Sequence, residues 1–262
     1  MILIKYGGHA LPEPGEVDPV LGLVADLHKS GEKIVLVHGG GPQINAALDR
    51  LNLGKEMVGG YRQTSPEVFA VVQEVLSGQV LRSIVHQLIA SSVNAVGLSA
   101  SDGETIRAQK TLVDVDGTPT DIGLVGEVVS TNPALIQGLL HSGYLPVISP
   151  VACDTSGQGL NLNADLVAGA LGGALSADRV LYMTDVAGIY RNWPDATSLI
   201  DSICAEELAS LLPTFADGMV PKVKSALHAI ESGAKAVRIF NGKDIKAVQD
   251  ALTDRGGTVV VP

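Results

Sequence analysis

Aromatic side chains are scarce in this 262-residue chain, at 3% of the sequence with a single tryptophan. A core built from its 46% hydrophobic residues is therefore aliphatic, the Val/Ile/Leu/Ala filling of a buried parallel sheet. Cysteine is nearly absent: Cys153 and Cys204 stand far apart with no Cys-x-x-Cys spacing, which argues against a disulfide framework or thiolate metal site. Positive charge is also short. With 18 Lys and Arg against 28 Asp and Glu, the net charge of −10 excludes broad binding to nucleic acid or anionic membrane. It leaves room for a local pocket made by a few placed cations. No uninterrupted apolar stretch approaches the ~20 residues of a membrane span, and Lys5 with a glycine pair interrupts the N-terminus before a signal-peptide core forms. The expectation is a soluble cytoplasmic protein. The Walker pattern, the protein-kinase His-Arg-Asp and Asp-Phe-Gly set, Gly-x-Gly-x-x-Gly and Gly-x-Ser-x-Gly are all missing.

What the chain does have is two glycine-rich turns, each entered from an apolar β run. Lys5-Tyr6-Gly7-Gly8 closes the run 2–6, and His38-Gly39-Gly40-Gly41 closes the run 34–37 ahead of Pro42. Glycines let backbone N–H groups crowd around an anion with no Cβ in the way, and a helix N-terminus adds positive dipole. Two such turns, one carrying a lysine, predict a cradle for phosphate.

Short β runs alternate with helical periodicity along the whole chain, which predicts βαβ units and a mainly parallel sheet. Helices are expected over 17–29, 42–51, 66–76, 79–90, 133–141, 205–212, 220–232 and 245–252, with another after Asn163. Strands are expected over 2–6, 34–37, 95–98, 145–149, 179–183, 236–240 and 258–261. Between 104 and 129 the pattern turns to Thr/Val/Asp alternation with a turn at Asp116-Gly117, a β-hairpin excursion at the sheet edge or over a pocket. The loop at Ser156-Gly157-Gln158-Gly159 is the expected joint between two lobes of one domain, residues 1–155 and 156–262.

Further polar clusters have more than one reading. In Asn161-Leu162-Asn163-Ala164-Asp165, Asn163 suits a helix N-cap and Asp165 the first turn, while Asn161 is left with its amide free. In Asp217-Gly218-Met219-Val220-Pro221-Lys222, the lysine falls near a helix N-terminus, unfavourable to the dipole unless an anion sits there; a solvated surface lysine is the plain alternative. Thr184-Asp185 follows a strand where α/β folds place ligand contacts, or forms only a capped turn. Arg62 suits a bidentate carboxylate clamp or a solvated charge. His38 is expected to bond locally, with no catalytic role. Trp193-Pro194-Asp195 reads as a packed surface loop, not a cofactor platform.

These stretches in this order, together with Asp121-Ile122-Gly123-Leu124-Val125-Gly126, resemble the amino acid kinase family over essentially the whole chain, and most closely its acetylglutamate-phosphorylating branch. The resemblance implies a three-layer α/β/α sandwich, an amino-acid lobe followed by an ATP lobe, and transfer of the γ-phosphoryl of ATP to the side-chain carboxylate of N-acetyl-L-glutamate with Mg²⁺. By the same resemblance Lys5 and Lys222 flank the transferred group, and Asp165 holds both lysines. Gly7, Gly8, Gly40 and Gly41 offer backbone N–H donors. Arg62 and Asn161 bind substrate, and Thr184, Asp185 and Met219 surround the nucleotide. The segment Asp121–Gly126 roofs the acceptor site.

The chemistry suits those residues. A glutamate-type carboxylate, with pKa near ~4.3, is already ionised at neutral pH and requires no general base. One segment departs from the family pattern: Gly59-Gly60-Tyr61-Arg62-Gln63-Thr64 stands where Asn-Gly-Leu-Arg-Val-Thr is usual. Kinases of carrier-linked aminoadipate are the neighbouring alternative. A silent sensor would be expected to lose Lys5, Lys222 or Asp165. The start of the chain almost at its first strand, without the N-terminal helix of arginine-inhibited members, leads to the expectation of a homodimer free of arginine feedback.

Overall fold

The computed structural model describes residues 1–7, 18–115, 117–215 and 219–262. Gly8, the start of the helix expected from Val17, Asp116, and Asp217-Gly218 lie outside them. The central sheet contains β1 (Ile2–Tyr6), β2 (Ile34–His38), β3 (Ala95–Ser99), β4 (Leu145–Ser149), β5 (Arg179–Thr184), β6 (Ser202–Cys204), β7 (Val237–Asn241) and β8 (Thr258–Val261). Their spatial order is β6-β8-β7-β5-β1-β2-β4-β3. All neighbours are parallel except β7 and β8, which run antiparallel. Strand β1 therefore sits mid-sheet, paired on one side with β2 and on the other with β5 from the C-terminal half.

Period-two alternation divides the apolar residues between two layers. Ile2, Ile4, Tyr6, Ile34 and Leu36 face helices α1 (Pro19–Lys29), α2 (Gly41–Leu51) and α3 (Pro66–Ala90). Leu3, Val35, Val37, Val180 and Tyr182 face α4 (Ala134–His141), α5 (Ala164–Ala174), α6 (Ala205–Leu211) and α7 (Val220–Glu231). The last helix, α8 (Ile245–Leu252), packs Val248, Ala251 and Leu252 on the first face. The result is the three-layer α/β/α sandwich with a mainly parallel sheet that the sequence predicts. Each fully buried Val, Leu or Ile contributes about 1.5–3 kcal/mol relative to exposure.

Two expectations need correction. The helices expected over 66–76 and 79–90 are one continuous element, because Ser77-Gly78 does not break the helix. Instead Glu74–Val80 widens into a π-helical segment between α-helical ends. By length and composition this helix is apolar enough to cross a membrane. Its Val68, Val72, Leu76, Leu81, Ile84 and Leu88 side chains are buried in the core. The excursion between 104 and 129 is more than a hairpin: Ile106–Lys110 and Val125–Thr131 close a four-stranded barrel with Val151–Cys153 and Gly159–Leu162. The small hairpin Val113–Val115/Thr118–Thr120 projects from it.

That barrel docks on the segment carrying Arg62 through one tight seam. Thr64 N–H donates to the Ile122 carbonyl (2.8 Å), and Leu124 N–H donates to the Thr64 carbonyl (2.6 Å). Between them Gly123 has φ +89°, and a Cβ there would lie 2.1 Å from the Thr64 carbonyl oxygen. Gly117 has a similar φ of +81° with nothing within 4 Å of a Cβ. Gly117→Ala is expected to cost about 1 kcal/mol, the left-handed penalty alone. Gly123→Ala is expected to cost at least about 2 kcal/mol more, as seam separation adds to it. Urea unfolding of both variants measures the difference; equal losses contradict the docking role.

Candidate functional site

Parallel strands bring their carboxyl ends to one edge, and the chemistry-bearing residues gather there. Lys5 lies near the end of β1 and Asp165 in the first turn of α5. The Lys5 Nζ is 2.8 Å from Asp165 Oδ1, with both side chains nearly buried. Asn163 caps α5 as expected, its Oδ1 accepting from Asp165 N–H at 2.8 Å. The loop and cap thus fix where the carboxylate points, and the carboxylate fixes the lysine. Among the described residues no ion pair joins Asp165 to Lys222; the pair formed is with Lys5.

Lys222, in the first turn of α7, is connected to that pair indirectly. Tyr182 of β5 is fully buried, with its hydroxyl 2.6 Å from Ser225 Oγ and 3.1 Å from the Asp165 carbonyl. Ser225, three residues beyond Lys222, also donates to the Asp165 carbonyl. One proton per hydroxyl gives the chain Tyr182 to Ser225 to Asp165. Gly169 allows the close approach of the two helices: a Cβ there would fall 2.8 Å from the Ser225 carbonyl oxygen. This buried chain of hydroxyls sets the spacing of the first turns that carry Asp165 and Lys222. Burial and the adjacent Asp165 charge drive the Tyr182 phenol far above its ordinary range, so it remains protonated as the chain requires.

On one side of this arrangement is a cavity of about 220 Å³ lined by Gly40, Gly41, Ile44, Arg62, Val125 and Asn161, among others. At Gly40 a Cβ would stand 2.6 Å from Leu76 Cδ2 in the π-helical segment, so the tip of that leucine would have to shift. Helix α2 starts at Gly41 with no side-chain cap, which leaves first-turn N–H groups for an anion. Arg62 is buried; its Nη2 donates to Asn45 Oδ1 at 2.6 Å, and its Nη1 has no hydrogen-bond partner among the described residues. Burial lowers its pKa from the ordinary value, yet a guanidinium stays charged. A buried cation held by a neutral amide suits a carboxylate ligand. Asn161 Nδ2 donates to Thr64 Oγ1 at 3.3 Å, which in turn donates to the Arg62 carbonyl at 2.7 Å. The two expected substrate contacts are thus brought together.

On the other side a cavity of about 690 Å³ is lined by Asp185, Tyr190, Trp193, Phe215, Met219 and Lys222, among others. Of the residues expected around the nucleotide, Asp185 and Met219 line it, together with Lys222. Thr184 does not: its hydroxyl is engaged with the Val186 backbone and the Phe240 carbonyl, a turn-building role. Gly7 closes against β5, where a Cβ would lie 3.1 Å from the Met183 carbonyl oxygen. Trp193 departs from its expected packed loop. It is 65% exposed, touches the Tyr190 ring edge-on, and lines the cavity. Asn45, Tyr182 and Ser225 are not legible from the sequence, since their partners lie 17 or more residues away.

His38 is fully buried, with Nδ1 2.9 Å from the Gly39 carbonyl, so the ring is neutral and donates from that nitrogen. Its Nε2 has no hydrogen-bond partner among the described residues. Burial pulls its pKa from 6.5 to about 4, against the opposing Gly39 bond. The unfolded chain then takes up the proton first as pH falls. The stability tied to His38 is full above pH ~6.5, declines below it, and stops declining near pH 4. Wild-type protein is expected to lose about 2–3 kcal/mol between pH 7 and pH 4.5 that a His38→Asn variant does not lose. Urea unfolding at both pH values measures this; parallel losses contradict it.

Comparison with known proteins shows the family. Residues 1–241 match the model of the amino acid kinase family. Over its full length the chain is 43% identical to an acetylglutamate kinase of Salinispora tropica and 41% identical to one of Corynebacterium efficiens, covering 89% and 87% of those proteins. Among solved structures, an N-acetylglutamate synthase of Neisseria gonorrhoeae complexed with coenzyme A and N-acetyl-glutamate superposes with a TM-score of 0.83 at 25% identity. That match covers all of this chain and 59% of the synthase.

Proposed function

The chain belongs to the amino acid kinase family, and we propose that it transfers the γ-phosphoryl group of ATP to the side-chain carboxylate of N-acetyl-L-glutamate, in arginine biosynthesis. The observation that carries this reading is a pair of lysines: Lys5, fixed by Asp165 next to Ala164 in the wall of the smaller cavity, and Lys222 at the wall of the larger one. The acceptor lies in the smaller cavity, its α-carboxylate on Arg62 and its acetamido end on Asn161. ATP lies in the larger cavity beside Asp185, Met219 and Lys222. Residues 1–155 then form the acceptor lobe and 156–262 the nucleotide lobe, with Asn161 reaching back across the boundary.

The reaction is charge-limited. The acceptor carboxylate, ionised above its pKa of ~4.3, attacks the γ-phosphorus as the bond from phosphorus to the departing ADP oxygen breaks, giving an acyl phosphate. Two unit charges of like sign 4 Å apart repel by about 4 kcal/mol at an effective dielectric near 20. One fixed ammonium of comparable separation offsets a term of that size. Lys5 covers the β/γ region and the incoming oxygen; Lys222 covers the departing side. Backbone N–H groups at Gly7, Gly40 and Gly41 surround the moving group.

Mg²⁺ accompanies the triphosphate and, when bound, neutralises charge on its oxygens. Among the described residues no group of three His, Cys, Asp or Glu side chains is placed to cage a metal. Asp185, a carboxylate on the wall of the larger cavity, would hold such an ion in company with phosphate and water. A homodimer and a cytoplasmic location belong to the same proposal; the two free cysteines, usual in a reducing compartment, support the location.

ADP release measured with acetylglutamate, glutamate, aspartate and carrier-linked aminoadipate tests the assignment. Acetylglutamate is expected to be the preferred acceptor, and Lys222→Ala to lower turnover on the order of 10²–10³-fold. Preference for the carrier-linked acceptor, or near-normal turnover in a folded Lys222→Ala protein, overturns it.

A further inference from the structure

The loop after β5 presents the chain's one tryptophan to the larger cavity, and the structure gives that placement a purpose beyond packing. Trp193 is 65% exposed, more than any other large apolar side chain among those described as exposed. Its contact with Tyr190 is edge-on, with ring centroids 5.1 Å apart and an interplanar angle of 66°. A T-shaped pair uses one edge and one face, leaving broad π surface uncovered.

The loop that holds this ring is tied at its base. Arg191 N–H donates to the Ser198 carbonyl (2.9 Å), and Asn192 N–H donates to Ser198 Oγ (3.1 Å). Asp195 Oδ1 accepts from both the backbone and the hydroxyl of Thr197, at 2.9 and 2.7 Å. Arg191 is anchored by Glu207, and Tyr190 bridges to Leu199. The exposed indole is therefore held out by a braced loop.

The cavity it faces has a mixed lining: Tyr190, Trp193, Phe215 and Met219 are flat or apolar, while Asp185, Arg191 and Lys222 are charged. A ligand that carries both a flat ring and phosphates matches that mixture. We propose that Trp193, backed by Tyr190, is the wall on which the nucleobase of the phosphoryl donor rests. The proposal rests on the kinase reading for the presence of a nucleotide, and adds where its base lies. Stacking draws on the π face that every base offers, so this wall supplies affinity for a purine without choosing between adenine and guanine.

Because the chain has one tryptophan, its emission reports this wall directly. Titration of wild-type protein with ADP is expected to shift or quench the emission saturably, with GDP acting similarly and tripolyphosphate, which has no base, leaving it unchanged. In the assay, Trp193→Ala is expected to raise KM for ATP by about 5- to 100-fold, with KM for acetylglutamate holding and Trp193→Phe recovering most of the loss. Unchanged emission with ADP, equal responses to ADP and tripolyphosphate, or an unaltered KM for ATP in folded Trp193→Ala overturns the proposal. The two readings fail separately. A saturable ADP signal without acetylglutamate turnover removes the acceptor assignment and keeps the wall; turnover with a silent tryptophan does the reverse.

Discussion

The structure depends on the Lys5–Asp165 ion pair. Removing two charges from water is costly unless each meets a well-placed partner, and breaking such a pair from one side costs about 3–5 kcal/mol. Here the 2.8 Å contact joins the end of the mid-sheet strand to the first turn of α5. A protein of net charge −10 thereby keeps an ammonium fixed at the carboxyl edge of its sheet. The glycines around it follow from the same requirement. At Gly40 a side chain would collide with Leu76, and at Gly7 it would press on the backbone of β5.

The second lysine is brought to the same centre by packing instead of by direct pairing. Helices α5 and α7 approach closely at Gly169, and the Tyr182–Ser225–Asp165 hydroxyl chain fixes their relative position from within the core. Buried polar chains of this kind specify a geometry when all their members are satisfied, and each hydroxyl here has a partner. Strand β5 contributes Tyr182 inward and carries Asp185 just beyond its end, so one strand serves both the spacing of the helices and the lining of the nucleotide cavity. Arg62 shows the same economy on the acceptor side. The Gly123 seam that holds the barrel also holds the segment on which Arg62 stands.

Much of this was legible because it is local. Apolar runs ending in Gly-rich turns marked β1 and β2, Asn163 announced the start of α5, and Ile245–Leu252 and Thr258–Val261 fell within the limits their periodicity predicts. Ser77-Gly78 misled, because an interior glycine weakens a helix without ending it when Val75, Leu76 and Val80 are held in the core. Barrel closure depended on pairing 106–110 and 125–131 with strands beyond residue 150, a long-range choice that alternation alone does not encode. The Asn45 amide on Arg62 and the outward display of Trp193 were equally hidden, since each is decided by which loop lies against which. Local chemistry named the charged groups; the tertiary fold chose their neighbours.

In the proposed reaction fixed cations, and no protein base, make the phosphoryl transfer possible. The acceptor is already ionised, and burial keeps His38 neutral at physiological pH by pulling it down to about 4. The pH profile of kcat with saturating ATP and acetylglutamate tests this most directly. A plateau from about pH 6 to pH 8 is the expected result, because the nucleophile carries no proton to remove in that range. A rising limb near neutrality that disappears on replacement of a single protein group would reveal a general base and contradict it.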